Sequence, residues 1–158
     1  MNGQTESLHL TRELIETLLR DAYHTDQIHI NSGQLFVPDR RIELVCSVPA
    51  GRYARSDTVP TERYVRCALQ GAYILTGALM QSGIEIVDSK SLLECAKHCA
   101  KTDLSYRSSR KLGEPFDLSV RLLSVRQNSG HYFGFFGVGG AAEGKIIIAV
   151  ENKNGNRH

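Results

Sequence analysis

The sequence predicts an α+β fold in which a small antiparallel sheet curls around one long, buried helix. Three observations carry this expectation. Residues 60–81 form a helical run that, after Arg66, holds no charge and presents apolar or small residues on every face. A helix apolar all round belongs inside a core. The C-terminal half is dominated by alternating segments joined by glycine-containing turns, the pattern of antiparallel strands. The order of helix, strands, long helix and strands does not alternate as βα units do.

Taken in order, residues 1–7 are polar and expected to fray. Thr11 suits the cap of a helix whose Leu14, Ile15, Leu18 and Leu19 share one face, ending near Tyr23. Gln27–Ile30 and Gln34–Val37 flank Asn31-Ser32-Gly33 and read as a hairpin. Pro38-Asp39-Arg40 makes a turn, and Arg41–Val48 alternates as a strand with one apolar face. An irregular stretch, 49–59, leads to the long helix, where Pro60 suits the first turn and Thr58 or Thr61 the cap. Gly83 ends that helix, and Ile84–Val87 reads as a short strand. Ser91–Ala100 reads as a brief helix, followed by an extended segment to about Ser109. Phe116–Val125, His131–Val138 and Lys145–Val150 read as three strands. Their turns, Asn128-Ser129-Gly130 and Gly139 to Gly144, hold residues that tolerate positive φ. The whole reads as one domain over 8–151 with flexible tails at 1–7 and 152–158. A curved sheet on the apolar sides of such a helix is the hotdog arrangement. Its open sheet edges and uncovered helix side lead to the expectation of a homodimer or higher homo-oligomer.

At 158 residues, with 41% hydrophobic and 23% charged residues, the composition is that of an ordinary globular domain. A net charge of +2 is too small to argue for a nucleic-acid binder, and no nucleic-acid partner is expected. Four cysteines lie within helix or strand patterns rather than a disulfide framework, and the N-terminus lacks the basic and apolar regions of a signal peptide. The longest apolar stretch is too short to span a bilayer. A cytoplasmic protein without a membrane partner is the expectation.

Two motifs yield to simpler explanations. Gly137-Val138-Gly139-Gly140-Ala141-Ala142 imitates a dinucleotide fingerprint, but a strand follows where a helix should begin. Cys95, His98 and Cys99 would share a helical face yet lack a fourth ligand at suitable spacing. No cofactor and no metal site is read. The front of the long helix is more informative. Glu62, Arg66, Leu69 and Tyr73 fall within a stripe about 60° wide, with Gln70 at its margin. Free amides at a helix N-terminus polarise a carbonyl, and a nearby carboxylate can act as general base. The alternative for Glu62 is an i, i+4 ion pair with Arg66. Tyr23, Tyr53 and Tyr73 can donate to a carbonyl while lining an acyl groove, or simply pack. Arg107, Arg110 and Lys111 suit a phosphopantetheine phosphate or an acidic carrier protein, or form a solvated strand end.

At these residues the chain resembles the FcoT-like, or type III, acyl-CoA thioesterases of the hotdog superfamily, from about Leu14 to Ala149. The resemblance is clearest at His98, Ser108-Ser109-Arg110 and Pro115, and continues through Arg121-Leu122-Leu123 and Gly139 to Gly144. It implies an enzyme acting on acyl thioesters of CoA or acyl-carrier protein, in fatty-acyl or secondary-metabolite biosynthesis. Some relatives instead add glycine to an α,β-unsaturated acyl thioester to form a β-amino acid. Tyrosines matching Tyr23 and Tyr53 serve the family's site, and Tyr53-Ala54-Arg55-Ser56 looks like its Tyr-x-Arg-Ser. Two departures stand out: the family's His before the central helix is replaced by Asp57 to Thr61, and a polar residue within that helix by Leu69 beside Gln70. The resemblance then leaves Tyr53, Glu62 and Gln70 as catalytic candidates, and Tyr23, Arg55, Thr61, Tyr73 and Ser109 as substrate-binding ones. Arg55 is the candidate for a glycine carboxylate. A non-catalytic acyl-binding protein is the contrasting class.

Overall fold

The computed structural model describes residues 7–20, 23–50, 57–81, 97–106, 108–128 and 130–151. Among these residues seven strands form one antiparallel sheet: β1 (Ser7–Leu10), β2 (Ile30–Phe36), β3 (Arg41–Cys46), β4 (Lys97–Ser105), β5 (Phe116–Asn128), β6 (His131–Gly140) and β7 (Glu143–Glu151). Their order across the sheet is β1-β2-β3-β5-β6-β7-β4. Helix α1 spans Arg12–Leu19 and helix α2 spans Thr61–Gln81.

Alternation builds the inner face of the sheet. Ile42, Leu44 and Cys46 on β3 stand opposite Val120, Leu118 and Phe116 on β5, and all six are buried. Side chains of period two therefore form one continuous apolar surface across the two strands. Helix α2 packs on it through Tyr64, Cys67, Ala68, Gly71, Ala72, Leu75 and Leu79, spaced three or four apart. Full burial of a leucine such as Leu75 is worth about 1.5–3 kcal/mol. At Gly71 the helix comes closest: a Cβ there would stand 2.6 Å from Leu44 Cδ1 and 3.3 Å from Val120 Cγ2. Below this contact the thiols of Cys46 and Cys67 meet between sheet and helix. Their hydrogen bond and the burial around them push the Cys46 thiol well above its ordinary 9.0.

Helix α2 is not buried all round. Arg66, Leu69, Tyr73 and Gly77 are half-buried and line the side away from the sheet. The stripe singled out in the sequence is therefore the more open side of the helix, a correction to the expectation of an apolar body enclosed on all faces.

Other expectations need correction. Residues 27–37 do not form a hairpin; 30–36 are one strand, and the register shift between Ile30 and Ser32 marks a bulge where the turn was expected. Asn31 donates its side-chain amide to Ser47 Oγ at 2.8 Å, which holds this bulge to the chain after β3. Ser7, expected in a frayed tail, begins edge strand β1. Helix α1 ends at Leu19, four residues early, and buries only Ile15 and Leu19 of its expected face; Leu14 and Leu18 are 37% and 40% exposed. Thr11 does cap it, accepting from Leu14 N at 3.2 Å. Residues 97–100 belong to strand β4, not to a helix. The expected strand Ile84–Val87 lies outside the described residues. The glycines of the imitation fingerprint lie in β6, whose last residue Gly140 takes positive φ, as does Gly144 near the start of β7.

No described helix is long and apolar enough to cross a membrane. Among the described residues no cluster of three or more His, Cys, Asp or Glu is suited to a metal ion. Cys95 lies outside those residues.

Candidate active site

The front of α2 is anchored on one flank by aromatic packing. Tyr64 stacks on Tyr106 at 5.5 Å and meets the edge of Phe116 at 5.1 Å between ring centroids. Its hydroxyl accepts the amide of Arg110 at 3.2 Å, and burial raises its pKa from the ordinary 10.0. Val59 N donates to Arg110 O at 2.8 Å and Thr58 bridges Lys111, so segment 108–111 runs alongside the start of the helix. Exposed Ser109 lies in that segment.

On the other flank a pocket of about 510 Å³ opens between α2 and the stretch that follows α1, lined by Tyr23, Gln27, Glu62, Val65, Arg66 and Leu69. Tyr23 is placed by its amide, which donates to Leu19 O at 2.9 Å just past the end of α1. Gln27 belongs to a 3-10 turn over Thr25–Gln27. The first amides of a helix have no intrahelical acceptor. Arg63 N finds Pro60 O at 2.9 Å, while those of Thr61 and Glu62 meet no acceptor among the described residues. Glu62 stands at the rim with its side chain 65% exposed.

The structure thus brings Tyr23 and Glu62 into one pocket, with exposed Thr61 beside them at the first position of α2. Tyr73 continues the stripe one turn beyond Leu69 and is not part of the pocket wall. Gln70 is fully buried behind the wall, where its Nε2 donates to Gln27 O at 3.1 Å. Its Oε1 has no partner among the described residues. Tyr53 and Arg55 lie outside the described residues. The expected ion pair between Glu62 and Arg66 is not made: Glu62 Oε1 lies 3.6 Å from Arg63 Nε instead.

Sequence reasoning missed a histidine at this end of the helix. His29 is 3% exposed, and its Nε2 lies 3.4 Å from Arg63 Nη1. In this contact the arginine can only donate. The imidazole thus reaches the front of α2 from the residue before β2 rather than from the segment preceding the helix. Its only sequence signal was a lone His between Ile28 and Ile30.

A second depression, of about 440 Å³, lies on the outer face of the sheet. There His9, Gln34, Glu43 and Ser119 stand in register across β1, β2, β3 and β5. No residue of either helix lines it.

No protein-family model matches the chain, and no curated protein matches its sequence. Solved structures do resemble it. Zebrafish thioesterase superfamily member 2 superposes with a TM-score of 0.54 at 8% identity, covering 89% of this chain and 94% of its own. An uncharacterized protein of Pyrococcus horikoshii gives 0.50 at 12% identity, covering 80% of this chain and 87% of its own. With the seven-stranded antiparallel sheet and the long helix packed on it among the described residues, these likenesses define a chain of the hotdog fold. At such identity the fold is what is shared.

Proposed function

We propose that this chain is an acyl-thioester hydrolase of the FcoT-like kind, acting as a cytoplasmic homodimer or higher homo-oligomer on acyl-CoA or acyl-carrier-protein thioesters, with the sheet wrapped around α2 as in that family. The observation that carries this reading is the pocket at the open front of α2, which combines uncommitted helix amides, the Glu62 carboxylate and an apolar floor at Val65 and Leu69. The thioester carbonyl lies against the amides of Thr61 and Glu62, with Tyr53 as a further donor. Developing negative charge on its oxygen is met there by fixed dipoles. Glu62 holds a water and takes its proton as the oxygen adds to the carbonyl carbon. Collapse of the adduct breaks the C–S bond, and the thiolate leaves as a free thiol once protonated. The acyl chain runs along Leu69 and Tyr73, while Ser109 and its basic neighbours face the carrier arm. Gln70, with one amide hydrogen given to Gln27, serves better as a wall residue than as a carbonyl donor.

Incubation with saturated acyl-CoA and with an enoyl thioester, each with and without glycine, tests this by mass spectrometry. Free acid with or without glycine is the expected result. An N-carboxymethyl-β-amino product would replace hydrolysis by addition, and bound but intact thioester would make the protein an acyl binder. Unchanged turnover in both Glu62→Ala and Tyr53→Phe would overturn the assigned roles.

A further inference from the structure

Arg66 is a half-buried cation in the pocket wall that nothing described neutralises. Its own helix offers four neighbours three or four residues away, and none answers it. Glu62 turns to Arg63, Arg63 is itself cationic, Leu69 is apolar, and Gln70 is uncharged: it gives Nε2 to Gln27, and its buried Oε1 has no partner among the described residues. Across the pocket, Tyr23 and Gln27 are uncharged. Among the described residues the cavity therefore holds one carboxylate, engaged at its rim, and one guanidinium that no anion meets. A guanidinium presents a planar fork of donors that matches a carboxylate in two parallel bonds.

We propose that Arg66 is a specificity residue that receives a ligand carboxylate. This rests on the proposed placement of the thioester at the front of α2. Arg66 follows Glu62 by one turn, about 6 Å along the axis, and helical side chains lean back toward the N-terminus. The carboxylate it binds therefore lies only a few bonds from the thioester carbonyl. The phosphates of a pantetheine arm, on the far side of the sulfur, stand too far away. Two sources share the required chemistry: a short acyl group ending in its own carboxylate, or a small free carboxylic acid bound beside the thioester.

The test follows the side-chain Nε–Hε resonance of Arg66 in the ¹⁵N-labelled protein, assigned by its loss in Arg66→Lys. Four probes are titrated: succinyl-N-acetylcysteamine, butyryl-N-acetylcysteamine, glycine and phosphopantetheine. The expected result is a shift with the succinyl thioester and none with the butyryl one, and succinyl binding at least tenfold weaker in Arg66→Gln. A shift with glycine instead assigns the carboxylate to a free acid and also supports the proposal. Equal shifts with succinyl and butyryl thioesters, a shift with phosphopantetheine alone, or no shift at all would overturn it. Thioester cleavage is read in the same samples. An Arg66 response without cleavage would remove the hydrolase reading and leave the carboxylate site standing.

Discussion

The two sides of helix α2 do opposite work with the same backbone. Toward the sheet it presents Cys67, Ala68, Gly71, Ala72 and Leu75, all buried, and at Gly71 it approaches Leu44 so closely that one methyl group would collide. Away from the sheet it presents Glu62, Arg66, Leu69 and Tyr73, partly open, with Arg66 meeting no anion among the described residues. One side is optimised for contact, and the other carries groups that folding alone does not explain. If the proposed site is right, stability and function can be altered separately on this one element.

The largest effects test that separation most sharply. Glu62→Gln should lower thioester turnover by about 10²- to 10⁴-fold while thermal unfolding moves by no more than about 0.5 kcal/mol. Equal loss of both would merge the two sides. Leu75→Ala on the sheet side should cost about 2–5 kcal/mol in denaturant unfolding, as expected for a buried leucine that leaves a cavity. Gly71→Val should cost about 1–3 kcal/mol by overpacking against Leu44. Gly77 provides the counter-case, because a Cβ there meets nothing within 4 Å. Gly77→Ala should therefore raise stability by about 0.5–1 kcal/mol.

A pH titration adds a smaller test of the sheet side. The thiol of Cys46 is held above its ordinary 9.0, so the unfolded chain releases that proton first. Its contribution to stability is present in full below pH 9.0 and is lost as pH rises through the higher folded value. Tyr64, raised from 10.0, adds to the loss above that pH. Denaturant midpoints between pH 8 and 10.5 should fall for the native sequence and fall less steeply for Cys46→Ala.

The sequence disclosed what depends on local period. Helix α2 was legible to within one residue at its start and at Gln81, and alternation located β3, β5, β6 and β7. What escaped depends on distant partners. Asn31-Ser32-Gly33 has the chemistry of a turn, yet pairing of β2 with both β1 and β3 absorbs it as a bulge. Ser7–Leu10 buries only Leu10 and becomes a strand only because β2 lies beside it. In the candidate site, the stripe from Glu62 to Tyr73 followed from helical geometry. The opposite wall at Tyr23 and Gln27, the approach of His29 and the diversion of Glu62 to Arg63 are tertiary outcomes, beyond any periodicity.

The strand order has a consequence for how the molecule is made. Among the described strands, edge strand β4 pairs only with β7, which follows it in the chain after β5 and β6. During synthesis at about 5–20 residues per second, β4 therefore waits unpaired for seconds while β5, β6 and β7 follow. Helix α2, lying between β3 and β4 in the chain, waits with it, able to dock on β3 before its C-terminal end has a wall to meet. The apolar face of α2 that packs on β3 and β5 is also the surface a nascent chain must keep from its neighbours until the sheet closes over it.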